Sequence, residues 1–286
     1  MNCLENEHFA TAVPQHPALK GIIAYYYVHR TFSNTFTRSF YYYPHYGRAL
    51  NVFEQSNVVW DAATRYTLPT RSAERTLILT SPRRDRRQVH MIGRVHKLGI
   101  VFEPLGLNRF VDAPVGQLAD ETIVAFPHLG RAFDYALDRV AATSDLSEKA
   151  TLLDRFFVAH DRGPTYPGIL DDVTQAIRAA DGLVSIQAIA EAHGIHQRTL
   201  LRLFQQHLGC SPQQFASVVR FRAIIDRHNQ ADAPLSLTEL AYASGFCDQS
   251  AFIKHMRGMI GISPSQFFQS MRDARNQHTV WTPSES

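Results

Sequence analysis

Cysteine is scarce in this chain, and its sparse use already narrows the chemistry. Cys3, Cys210 and Cys247 are the only three in 286 residues, without disulfide or metal-ligand spacing, which fits a reducing cytoplasm. Charge of one sign is also scarce. The formal net charge is +3, and the C-terminal region is close to balanced between Lys plus Arg and Asp plus Glu. Composition therefore does not announce the basic surface that usually grips phosphates. No apolar run reaches the ~20 residues of a membrane span, and the N-terminus lacks the charged-then-apolar form of a signal peptide, so no membrane partner is expected. His29, His45, His90 and His96 form no close His-x-His pair with a following carboxylate. Neither a metal, a cofactor nor a catalytic site is expected on that pattern.

What is plentiful is apolar and aromatic material, 45% and 11% of residues, enough for two domains of ordinary size. The most informative stretch, Val184 to Met271, says nearly the same thing twice. SIQAIAEAHGIHQRTLLRLFQQHLGCSPQQF begins at Ser185, and SLTELAYASGFCDQSAFIKHMRGMIGISPSQF begins at Ser236. Ala190 and Gly194 recur as Ala241 and Gly245 at an offset of about 51; Leu200, Phe204 and Gly209 recur as Phe252, Met256 and Gly261 at about 52. The second copy thus holds one extra residue in its turn.

Each copy encodes two short helices. Ile186, Ile189 and Ala190 share one helical face, Gly194 ends the first helix, and Leu200, Leu203, Phe204 and Leu208 form the apolar stripe of the second. Gly209 ends that helix, and Pro212 suits the start of the next. Such a pair, joined by a Gly-containing turn, is a helix-turn-helix, whose second helix can enter the DNA major groove. The expected units span about 184–210 and 236–262. Pro212 to about Asn229 reads as a connecting helix, roughly 27 Å long, able to hold two reading helices near the ~34 Å spacing of successive major grooves.

The face opposite the apolar stripe carries Gln197, Arg198, Leu201, Arg202 and Gln205 in the first copy. In the second it carries Asp248, Gln249, Ser250, Ile253, Lys254 and Arg257. An apolar residue precedes a cation in both, as Leu201-Arg202 and Ile253-Lys254. Arg can bind guanine through two hydrogen bonds, Gln can read adenine, and an aliphatic side chain can touch a thymine methyl.

These motifs resemble the AraC/XylS family of bacterial transcription regulators. The resemblance rests on I-A-x-x-x-G with L-x-x-x-F-x-x-x-x-G-x-S-P in the first copy. In the second it rests on L-A-x-x-x-G-F-x-D-Q-S-x-F followed by G-I-S-P-S-Q-F. It implies a sequence-specific regulator that binds double-stranded DNA through both units, in two successive major grooves. A homodimer is a further expected partner, as is RNA polymerase in an activator. Carried over by position, Arg198, Leu201, Arg202, Gln249, Ser250, Ile253 and Lys254 are the base readers. Departures are also visible. His196 and Cys247 stand where Ser commonly precedes each reading helix, which predicts weaker caps by about 1 kcal/mol. Met256 replaces a usual Phe, and Gly258 interrupts the last turn. Cys247 reads as a small residue filling a cap position, with a redox switch as the alternative.

Residues 1–163 are a different kind of sequence, joined to 164–286 through the linker Gly163-Pro164-Thr165-Tyr166-Pro167-Gly168. Strands are expected at Gly21–Thr31, Ser39–Tyr43, Arg48–Glu54, Asn57–Asp61, Thr76–Thr80 and His96–Phe102, with helices at Phe126–Ala142 and Ser147–His160. Pro104 to Phe110 reads as a turn into a short helix. The fold class is therefore α+β, a small barrel or rolled sheet with a helical annex followed by an all-α domain. Tyr43-Pro44-His45-Tyr46-Gly47 before Leu50-Asn51-Val52-Phe53, and Leu98-Gly99-Ile100-Val101-Phe102-Glu103-Pro104, are similar to the cupin-like sensor half of such regulators. That implies a small-molecule effector; Tyr25, Tyr27, Tyr41, Tyr43 and His45 are the candidate lining, with ordinary core packing as the competing reading. Arg83-Arg84-Asp85-Arg86-Arg87 reads as a solvated hairpin loop. The competing function is a cupin-like metal-dependent enzyme that uses the DNA-binding half for targeting.

Overall fold

The computed structural model describes residues 6–54, 56–60, 64–69, 75–80, 86–118, 123–125, 129–231, 235–274 and 281–283. Its fold is mixed α+β. Strands β1 (Glu7–Ala12), β2 (Ile23–Thr31), β3 (Thr37–Tyr42), β4 (Arg48–Glu54), β5 (Ser56–Trp60) and β6 (Thr64–Pro69) come first. They are followed by β7 (Thr76–Thr80), β8 (Arg87–Ile92), β9 (His96–Phe102) and, after helix α1 (Val115–Leu118), by β10 (Ile123–Ala125). Helices α2 (Gly130–Ala142) and α3 (Leu146–Ala159) complete the N-terminal half.

One sheet has the order β1-β2-β9-β4-β7-β10. The other, including the C-terminal strand β11 (Trp281–Pro283), has the order β11-β3-β8-β6-β5. The period of two on β2 explains the layering. Tyr26 and Val28 face α2 and α3 in a core with Leu50, Ile100, Phe102, Leu137, Leu153 and Phe157. Tyr27 and His29 face the other way, His29 edge-on to Phe40, and Phe40 packs with Phe53, Ile78, Met91 and Val95 in a second core. Asp154 of α3 fastens the annex: it accepts from Tyr26 Oη at 2.7 Å and from the backbone N–H groups of Gln15 and His16.

The expected strands are present, although Asp61 lies outside the described residues, as do residues 126–128 of the first expected helix. Pro104–Phe110 supplies a short 3-10 turn, Gly106–Arg109. β1, β6, β8, β10 and β11 were not expected. Of the basic run read as a loop, residues 83–85 lie outside the described residues, Arg86 stacks over the Tyr41 ring at 4.2 Å, and Arg87 begins β8.

Up to Ala274 the described residues of the C-terminal half form helices joined by turns. It comprises α4 (Ile169–Ala179), α5 (Ile186–Ala192), α6 (Gln197–Leu208), α7 (Pro212–Gln230), α8 (Leu237–Ala243), α9 (Gln249–Ile260) and α10 (Pro264–Ala274). Helix α4 was not read from sequence, yet Leu170, Val173 and Ile177 stand at helical spacing and are buried. The 19 residues of α7 span about 28 Å. Its first turns (Phe215, Ala216, Val219) complete the core of α4, α5 and α6, while Phe221, Ile224 and Ile225 complete the core of α8, α9 and α10. One helix is thus a wall of both units. Each core also receives a side chain from the N-terminal half, Leu105 in the first and Tyr43 in the second.

Candidate nucleic-acid interface

Local chemistry fixes where each reading helix begins. Ser185 caps α5 by accepting from Ala188 N, and Ser236 with Glu239 forms a capping box at α8. Gly194 and Gly245, in left-handed conformation at φ 67° and 70°, then turn the chain into the reading helices. The two turns differ by the expected extra residue, and the structure shows what it does. His196 is the N-cap of α6 and makes no side-chain cap bond. The N-cap of α9 is Asp248, whose carboxylate accepts from Ala251 N at 2.7 Å. The expectation that Cys247 stands at the cap is corrected: Cys247 lies one residue earlier in the turn and is exposed. The second reading helix therefore has a charged cap that also suits its dipole. Asp248 is occupied by that role.

With the caps located, the two helices share one register. Gln197, Arg198, Leu201 and Arg202 are positions one, two, five and six of α6; Gln249, Ser250, Ile253 and Lys254 are the same positions of α9. Gln197, Arg198, Arg202, Gln249, Ser250, Lys254 and Arg257 are exposed. Leu201 and Ile253, expected to be exposed, are half-buried, and Ile253 packs against the second core. Among the described residues, Arg202 and Gln249 make one loose side-chain hydrogen bond each, with Gln206 and Thr238 at 3.4 Å. Gly258 does not interrupt α9, which continues to Ile260 and ends at Gly261 with φ 68°. Met256 is fully buried in place of an aromatic ring.

The opposite end of α6 is covered. Arg48 of β4, fully buried, donates through Nη2 to Leu208 O, and Asn108 donates to His207 O at 3.0 Å. These two carbonyls belong to the helix end, which lacks intrahelical partners. Gly116 of α1 lies so close that a Cβ there would sit 1.9 Å from Gln205 O. In return, Arg222 of α7 donates to Pro44 O at 2.7 Å. Sequence reasoning missed these ties; an arginine opening an otherwise apolar strand, Arg48-Ala49-Leu50, was the available signal.

The five candidate effector residues have different surroundings among the described residues. Tyr27 lies inside the roll, where its hydroxyl donates to Asn51 Oδ1 and its ring lies 5.1 Å from Lys97 Nζ. Tyr25, on the same strand face, is raised to about 12 by burial despite the nearby Arg222 charge. Tyr41 packs under Arg86 and against the second helical core, and Tyr43 meets Phe267 edge-on at 4.8 Å. His45 stacks on Tyr46 at 4.8 Å; burial, with the Arg222 charge beside it, depresses it to about 3. Packing between the halves thus accounts for two of the five, Tyr41 and Tyr43. The four histidines considered as metal ligands also have separate surroundings: His29 meets Glu7, His90 meets Ser39, His96 meets Arg30, and His45 stacks on Tyr46. Among the described residues, no three His, Cys, Asp or Glu stand together as a metal site would need, and no helix is long and apolar enough to cross a membrane.

Two matched reading helices on a shared wall define a double helix-turn-helix DNA-binding domain. Residues 189–270 match the family model described as a helix-turn-helix domain. The HTH-type transcriptional activator RhaS of Escherichia fergusonii is 36% identical over 94 residues, 33% of this chain and 33% of that protein. RhaS of Salmonella arizonae is 38% identical over 88 residues, 31% of each chain. The chain spans about a third of the length of these curated relatives. Among solved structures, ToxT of Vibrio cholerae is 12% identical, covers 91% of this chain and 98% of its own, and gives a TM-score of 0.47. With the repeated motif, the sequence relatives identify the C-terminal region as a DNA-binding domain of the AraC/XylS family.

Proposed function

We propose that the protein is a cytoplasmic, sequence-specific transcription regulator, with residues 164–286 reading two successive major grooves and residues 1–163 sensing a small-molecule effector. The observation that carries the reading is the common register of α6 and α9, which presents Gln197, Arg198 and Arg202 beside Gln249, Ser250 and Lys254 at equivalent helix positions. Arg and Gln suit guanine and adenine edges in the major groove. The near-balanced charge implies that base contacts and shape carry more of the affinity than a basic field.

Regulation follows from the ties between the halves. Arg48 and Asn108 hold the end of α6, while Arg222 holds the segment at Pro44. A ligand with different affinities for held and released arrangements shifts the population between them. The test is transcription reconstituted with RNA polymerase from a promoter carrying a selected binding site. A change in transcript level that depends on the protein and the site supports the reading; binding without any effect on transcription contradicts it.

A further inference from the structure

Arg222 is a cation buried at the junction of the two halves. It is 8% exposed and donates Nε to Pro44 O at 2.7 Å and Nη2 to Tyr43 O at 3.4 Å, both neutral carbonyls. Among the described residues no carboxylate lies within ion-pair distance of it. A buried charge normally has a counter-charge.

Arg222 also lines a cleft of about 480 Å³ between the halves. Tyr46 of the N-terminal half forms one wall, with Val219 and Asp226 of α7 opposite. Two other charged residues of the cleft are already paired, Arg178 with Glu103 at 2.9 Å and Asp181 with Arg227. Asp226 is in no ion pair or hydrogen bond among the described residues, and the opposite charge that acts on it is Arg222 itself, beyond ion-pair distance. The cleft therefore presents a cation bonded only to neutral carbonyls and a carboxylate without a bonded partner, four residues apart on one helix, about 6 Å along its axis.

We propose that this cleft binds a small zwitterion of the α-amino-acid class, with its carboxylate on Arg222, its ammonium on Asp226 and its side chain against Tyr46 and Val219. An α-amino acid separates its two charges by one carbon, and a hydrogen bond of about 2.9 Å at each end lets it span such a pair. A phosphate dianion would meet Asp226 and Asp181, and a simple amine would meet Arg222 and Arg178. Because Tyr46 and Arg222 belong to different halves, the occupant links the N-terminal half to the helix shared by both reading units. This site is separate from the interior of the roll and goes beyond the proposed reading of DNA.

The test is calorimetric titration of the full-length protein with each of the twenty common amino acids, without DNA. The expected result is saturable binding of one or a few of them. Affinity should fall at least about tenfold when the amine or the carboxylate of the binder is removed, since each charge-assisted bond is then lost. Asp226→Asn should cause a similar fall in a variant that still unfolds cooperatively. No binding by any of the twenty, or binding that survives both loss of the ligand amine and Asp226→Asn, overturns the proposal. Neither result bears on DNA recognition.

Discussion

Arg48, in the middle of the N-terminal sheet, donates to the carbonyl of Leu208 at the end of the first reading helix. The strand-borne cation thereby does what a C-terminal helix cap does, but from the other half of the chain. Burial lowers its guanidinium to about 10, still protonated at neutral pH. Arg48→Met should leave Leu208 O without this donor, at a cost of about 1–3 kcal/mol. Urea unfolding of the full-length protein measures it; an unchanged midpoint would show that the tie does not stabilise the fold.

The two reading helices should be separable by mutation. Arg202→Ala is expected to cost about 1–3 kcal/mol at one half-site and to relax base preference there, with Lys254→Ala acting on the other half-site about one helical turn away. Footprints of both variants on one selected duplex provide the check. Loss of the same bases in both would break the two-groove model.

The caps make a third prediction. Asp248→Ala should destabilise the second unit by about 1 kcal/mol, whereas His196→Asp should stabilise the first by a comparable amount, because His196 makes no cap bond. Thermal unfolding of each variant reads both signs. A destabilising His196→Asp would mean that the α6 terminus is already satisfied.

Acid should weaken the junction through His45. Its pKa is depressed from 6.5 to about 3, so the unfolded chain takes the proton first. The stability it carries is complete above about 6.5 and is lost as pH falls towards about 3, at about 1.4 kcal/mol per pH unit. His45→Asn removes that dependence. Between pH 6.5 and 5 the variant should lose about 2 kcal/mol less stability than the parent, measured by urea unfolding at both values. Equal losses would show that His45 is not held neutral.

The helical half was legible because its signals are local. Ala190, Gly194, Leu200, Phe204 and Gly209 each fix a turn or a face, and they recur. The N-cap of α9 was misplaced because Cys247 and Asp248 are adjacent, and either could close a turn; the extra residue was seen but not assigned. Helix α4 escaped notice beside the Pro- and Gly-rich linker, despite Leu170, Val173 and Ile177. The ties at the junction were illegible for a different reason. Arg48 and Leu208, or Arg222 and Pro44, are far apart in sequence and bond through backbone carbonyls, which no residue type marks. The tyrosines of β2 and β3 also alternate, but alternation cannot say whether a ring meets a ligand or Phe267.

The most direct test of the account is selection of binding sites from random duplex DNA by the full-length protein at near-physiological salt. The account predicts a bipartite motif whose halves are centred about ten base pairs apart, one turn of the duplex. Enrichment with residues 164–286 alone would place the block in the N-terminal half awaiting its effector. No enriched motif with either protein would contradict DNA reading by α6 and α9.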